Sequence, residues 1–184
     1  AIDQNAKLRV YDQENGLLWV SSEDYGGSKT YIGPRQGGAT ERNPKPGSLS
    51  VDENSDRELV LVPRRVVVTD LDKNGRQDIV VVNNIANGMS LFKKLRLFDG
   101  GSIVGLTWNG AALVETWRTG RQNGYIADFD FSLKTGAEVG DKGNIGIASL
   151  YIGQVPKSGT FDALLPGSER TKVIVNELGF SQKN

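Results

Sequence analysis

The stretch "TDLDKNGRQDI", Thr69 to Ile79, sets Asp70, Asp72, Asn74 and Asp78 around Gly75, between two runs of valine. A hard divalent cation such as Ca²⁺ takes roughly six to eight oxygen ligands at about 2.3–2.6 Å. A tight loop turns side chains at alternate positions inward, and a glycine allows the sharp bend. In this spacing Asp70, Asp72, Asn74 and Asp78 offer side-chain oxygens, and Arg76 offers its main-chain carbonyl. Three carboxylates drawn together without a cation would repel one another. The competing reading is an Asx-rich turn that holds no metal, because Asp and Asn also favour turns through hydrogen bonds to their own backbone.

The flanks decide what kind of loop this is. "RRVVVTD" before it and "DIVVVNN" after it are almost continuously apolar, as expected of strands covered on both faces. A helix-flanked EF-hand loop would need an acidic ligand at its twelfth position, and Val81 stands there instead.

The rest of the chain must supply those strands. Glycine is abundant at 23 residues, mostly beside Asn, Asp or Ser, and the segments between are short and rich in Val, Ile, Thr, Tyr and Trp. That composition predicts an all-β protein with little helix. "FKKLRLF", Phe92 to Phe98, reads as alternating, with Phe92, Lys94, Arg96 and Phe98 on one face. In "SIVGLTWNGAALVETW" a type I′ turn at Asn109-Gly110 would pair Trp108 with Ala111, Leu106 with Leu113 and Val104 with Glu115, putting Val104, Leu106, Trp108 and Leu113 on one face. In "LRVYDQENGLLWVSS" a four-residue loop, Gln13 to Gly16, would set Tyr11 against Leu18 and Val10 against Trp19.

The two Asn-Gly hairpins look like copies. The interval from Asn15-Gly16 to Asn109-Gly110 is the same as that from Tyr31-Ile32 to Tyr125-Ile126. After the second Tyr-Ile pair comes "ADFDF" directly; after the first comes a long Pro- and Gly-bearing segment and only then "VTDLD". Repetition at about 60 residues, with roughly four short strands per unit, is the pattern of a β-propeller or a related array of four-stranded antiparallel blades. On this reading 1–184 is a single all-β repeat domain. Residues 7–32 are the C-terminal half of a blade, 33–58 a loop insertion, 59–118 a full blade carrying the acidic loop, and 123–180 a diverged blade. So few blades imply a partial propeller or C-terminal fragment, an assembly of copies, or some smaller closure.

"VVVTDLDKNGRQDIVVVNN", with its ninth-position aspartate between two strands, resembles the FG-GAP/VCBS repeat, the calcium-loop blade of integrin α-chain propellers and many bacterial surface and secreted proteins. The close match covers this stretch; the hairpin "LRVYDQENGLLWVSS" is similar, more loosely, to the outer strands of such a blade. The resemblance implies a blade whose Asp70, Asp72, Asn74, Arg76 carbonyl and Asp78 hold Ca²⁺. The second copy, "ADFDFSLKTGAEVGDKGNIGIASL", keeps Asp128 and Asp130 but inserts residues before Asp141 and Asn144 and loses the glycine spacing, so a diverged loop without metal is expected there.

Composition narrows the function. Lys+Arg and Asp+Glu both total 22, so no field of one sign draws nucleic acid or an acidic membrane surface. Without cysteine or histidine the chain has no disulfides, thiolate nucleophiles, usual zinc sites or Ser-His-Asp triads. No apolar run is long enough to span a bilayer, and "AIDQNAKLRV" carries no signal pattern, although an upstream signal or lipid anchor could have been removed. Trp19, Trp108, Trp117, Tyr11, Tyr31, Tyr125 and Tyr151 are read as packing between blades in preference to a sugar-stacking platform. Paired carboxylates of a hydrolase would leave no trace in sequence, but the acids that cluster here serve better as ligands than as catalysts.

The expectation is therefore a calcium-stabilised binding or scaffold module of an exported bacterial protein, periplasmic, surface-bound or extracellular, presenting loops to a protein or glycan and not itself an enzyme. The alternatives are the accessory or catalytic propeller of a polysaccharide-active enzyme, and an assembly unit that associates through its blade edges.

Overall fold

The computed structural model describes residues 1–32, 60–72, 74–87, 97–133, 144–156 and 171–181, and among these every regular element is a strand. The insertion expected over 33–58, the strand face over Phe92 to Arg96, and Asp141 lie outside the described residues.

β1 (Lys7–Tyr11) and β2 (Leu17–Asp24) form an antiparallel hairpin. The short β3 (Tyr31–Ile32) and β4 (Val60–Leu61) pair with each other. β5 (Val67–Thr69), β6 (Asp78–Ala86), β7 (Phe98–Trp108) and β8 (Leu113–Arg118) follow one another as an antiparallel meander, and β9 (Gln122–Asn123) adds to β7 beyond the end of β8. β10 (Tyr125–Leu133), β11 (Asn144–Val155) and β12 (Lys172–Ser181) make a second antiparallel meander of three strands. Among the described residues all pairings are antiparallel and the sheets do not close into a ring.

The sheets stack in three layers, with the meander of β5 to β9 in the middle. Val80 and Val82 on β6 and Ile103 on β7 face the third sheet, where they pack with Ile126, Phe129, Leu150 and Ile152. Val81, Val104 and Leu106 face the other way and pack with Leu8 and Tyr25, with Val10 and Trp19 of the hairpin against them. Because successive strand residues point to opposite faces, a central strand flanked by two layers must be apolar at every position. This explains the valine run of β6, in which Val80, Val81 and Val82 are all fully buried.

Polar residues then lock the layers. Asn83 donates to the Asp24 carbonyl at 2.8 Å and accepts from Arg118 at 3.3 Å, which ties β6 to β2. Glu115 and Glu23 hydrogen-bond the Arg118 guanidinium and raise its pKa. Asn84 points to the opposite face, where its amide donates to the Gly27 and Ile126 carbonyls and accepts from the Ile126 N–H at 3.0 Å. Gly101, paired with Asn84 across the ladder, leaves room for that side chain: a β-carbon there would sit 2.5 Å from the Asn84 Oδ1.

Both hairpins differ from expectation at the turn. Trp108 pairs with Leu113 and Leu106 with Glu115, two positions from the register of a type I′ turn. The reason lies in Asn109, whose Oδ1 accepts from the N–H groups of Ala111 at 3.0 Å and Ala112 at 2.9 Å, making 109–112 a four-residue loop. Only Gly110 takes positive φ there, whereas a type I′ turn would require it of Asn109 too. A shift of two keeps every side chain on its face, so Val104, Leu106, Trp108 and Leu113 do share one core. In the first hairpin Val10 pairs with Trp19 as expected, but Tyr11 pairs with Leu17. Asp12 caps that loop by accepting from the N–H groups of Glu14 and Gly16, and Asn15 takes positive φ.

Candidate metal centre

The acidic loop joins β5 to β6 along one edge of the middle layer, and its entry is fixed from both sides. The segment before β5 is held by Arg64, whose N–H bonds the Gly26 carbonyl at 2.9 Å and whose guanidinium donates to the Tyr125 hydroxyl. The Tyr125 ring is buried and stacks on Phe98 at 5.0 Å. Inside the loop Leu71 drops into the core at 2% exposure, so the residues around it, Asp70 and Asp72, are left at the rim.

Asp70, Asp72 and Asp78 each bring a carboxylate oxygen to within 4.8 Å of the others. Backbone donors shape the cluster. Asp70 accepts from the N–H groups of Asn74 at 3.0 Å and Gly75 at 2.9 Å, and Gly75 can bend there because its φ is +84°. Asp72 accepts from the Asn74 N–H at 3.2 Å and from its side-chain amide at 2.8 Å. Asp78 is the buried member, with Leu71 N–H on one oxygen at 3.2 Å and the Thr107 hydroxyl on the other at 2.5 Å.

Asn74 meets the cluster, but its Oδ1 accepts from the Arg76 N–H at 2.8 Å. Arg76 and Asn74 are exposed. Thr107 is the participant that the loop sequence does not reveal. It lies on β7 directly across from Asp78, a partnership that follows only from the β6–β7 register.

The donor set is all oxygen, which suits Ca²⁺ or Mg²⁺ in preference to softer metals. Among the described residues no lysine or arginine pairs with these three carboxylates. The residues present therefore fit a hard divalent cation, and the cluster could hold one.

The second acidic stretch is built differently. Asp128 and Asp130 are alternate residues on the outer face of β10, 62% and 75% exposed, and Arg65 reaches both, at 3.0 and 3.7 Å. The same guanidinium lies 5.3 Å from the centre of the Phe129 ring. A tethered cation thus sits on these carboxylates.

The aromatic residues mostly pack. Trp19 and Trp108 lie against one core and Trp117 against the other, with the Trp117 indole over Gly105, while Tyr11 and Tyr151 remain 43% and 39% exposed. Ser21 is buried and structural: its hydroxyl accepts from Leu8 N–H and donates to the Glu23 carbonyl. Among the described residues no helix is long and apolar enough to cross a membrane. Compared with family models, with curated proteins and with solved structures, the chain has no match.

Proposed function

We propose that the chain is a calcium-stabilised binding or scaffold module, built from FG-GAP/VCBS-like blades and exported from the cell that makes it. The observation that supports this reading is the convergence of Asp70, Asp72 and Asp78 at the strand junction, with backbone donors and no basic side chain against them among the described residues. Asp70, Asp72 and Asp78 would hold the ion, with Asn74 and the Arg76 carbonyl completing its oxygen shell. When bound, the ion supplies charge neutralisation and crosslinks the loop to β6.

An exported location suits such a loop. Extracellular calcium modules bind at about 10⁻⁴–10⁻³ M, so at about 1 mM free ion and the tighter value the gain is ~1.4 kcal/mol. That is enough to stiffen one layer and leave the remaining loops free to meet a protein or glycan. Isothermal titration with calcium chloride tests the reading: a single saturable site in the chain, lost in Asp72→Ala, supports it, and absence of heat beyond dilution refutes it. A glycan array probed with and without chelator then tests the partner class.

A further inference from the structure

We propose that Asn109 is a self-modifying position, the preferred site of spontaneous deamidation to aspartyl and isoaspartyl forms. In this reaction the Gly110 nitrogen attacks the Asn109 Cγ and gives up its proton, the Cγ–Nδ2 bond breaks, and ammonia leaves. Solvent water then opens the five-membered imide at either carbonyl, giving Asp or isoaspartate. During attack the negative charge develops on the Asn109 Oδ1, and fixed donors aimed at such an oxygen lower the barrier. That atom already accepts from two backbone N–H groups, Ala111 at 3.0 Å and Ala112 at 2.9 Å. The attacking nitrogen is free, for the Gly110 N–H has no hydrogen-bond partner among the described residues. Gly110 is exposed, so solvent base reaches its N–H.

Among the described residues the Asn-Gly pairs at Asn15, Asn74 and Asn123 lack this combination. At Asn15 the Gly16 N–H is held by the Asp12 carboxylate at 2.6 Å. At Asn74 the Gly75 N–H is held by Asp70 at 2.9 Å, and the departing amide is itself bonded to Asp72 at 2.8 Å. A carboxylate against an N–H opposes loss of its proton, since the resulting anion would face a like charge. At Asn123 the residue is fixed in β9 opposite Gly100, and the Gly124 N–H bonds the Asp99 carbonyl at 3.4 Å. Gly88, which follows Asn87, lies outside the described residues.

The products differ in consequence. An aspartate at this position still accepts from both N–H groups. Isoaspartate routes the main chain through the side-chain carbon and displaces the Asn109 N–H from the Ala112 carbonyl, which closes the loop at 3.1 Å. The inference does not depend on the calcium reading.

The test incubates the folded chain at mildly alkaline pH and maps each Asn-Gly pair by peptide mass spectrometry over time, beside an identical sample in concentrated urea. In the folded chain Asn109 converts at least about tenfold faster than Asn15, Asn74 and Asn123, a difference of ~1.4 kcal/mol in barrier. In urea the four rates converge. Equal or faster conversion at any of the other three, a folded chain that leaves Asn109 intact, or a lead for Asn109 that survives in urea would each overturn the proposal.

Discussion

The two acidic stretches use the same residue type and solve its repulsion in opposite ways. Asp70, Asp72 and Asp78 are satisfied by N–H and hydroxyl donors from their own loop and from Thr107, leaving carboxylate oxygens facing one another. Asp128 and Asp130 lie within β10 and share the guanidinium of Arg65. A loop with Gly75 at φ +84° folds its acids inward around a point. A strand holds alternate acids side by side on one face, where a long basic side chain from a neighbouring segment spans them. Losing the glycine spacing thus turns a candidate ion cage into an ion pair.

The sharpest break in this comparison comes from the buried member of the loop. Asp78→Ala would strand the Thr107 hydroxyl and the Leu71 N–H where β5, β6 and β7 meet. Leaving one buried and one half-buried donor without the carboxylate that both are bonded to costs about 3 kcal/mol, and for a chain of this size that lowers Tm by roughly 6–12 °C. The loss should appear in chelator as well as in calcium. A Tm within a degree or so of the parent in chelator would show that Asp78 carries no structural role of its own.

Asp72→Ala separates the metal from the scaffold. Among the described residues Asp72 bonds only to Asn74, within the exposed part of the loop, so its removal in chelator should be mild. What it should abolish is the calcium-dependent gain of ~1.4 kcal/mol, roughly a 3–6 °C rise in Tm. Asp130→Ala should leave that rise intact, because Arg65 already serves that carboxylate. Loss of the calcium response in both variants would remove the distinction between the two stretches.

How much of this was legible in the sequence follows from the range of the forces involved. The acidic loop, the all-β class and the both-faces burial of β6 rest on local spacing and on the run Val80 to Val82, and each could be read along the chain. The hairpin register at Asn109 could not, because a side-chain cap on Ala111 and Ala112 outcompeted the turn preference of the Asn-Gly pair. Nothing in the local pattern marks Asn83 and Asn84 for burial, yet both are buried and bind opposite layers. Arg65 and Thr107 were equally hidden, since each meets its acid through a contact between segments distant in sequence, and no periodicity encodes that partner.

Arg65→Ala probes the other half of the comparison and should cost little. Exposed ion pairs contribute about 0–1 kcal/mol and weaken with salt, and Asp128, Asp130 and Arg65 are all substantially exposed. The expected fall in Tm is no more than roughly 4 °C in low salt, and 1 M salt, where the Debye length is about 3 Å, should nearly erase it. A larger, salt-insensitive loss would mean that the guanidinium acts mainly by packing on Phe129.

The smallest effect concerns an acid that combines both solutions. Asp3 accepts from the backbone N–H groups of Lys7 and Asn5, and its second oxygen pairs with Arg9 at 2.7 Å. The Lys7 N–H leads the causes that hold its carboxyl below the ordinary value of 3.8, and Arg9 adds to it. A folded-state pKa below the unfolded one contributes stability that is present above the unfolded value and lost as pH falls through the folded one. Carboxyl ¹³C shifts followed through an acid titration should therefore show Asp3 titrating below an ordinary aspartate, and Arg9→Gln should move its midpoint upward only in part, because the Lys7 and Asn5 donors remain. A midpoint that returns fully to the ordinary value in Arg9→Gln would assign the effect to the ion pair alone, and would mean that the Lys7 and Asn5 N–H groups do little to hold the Asp3 carboxylate charged.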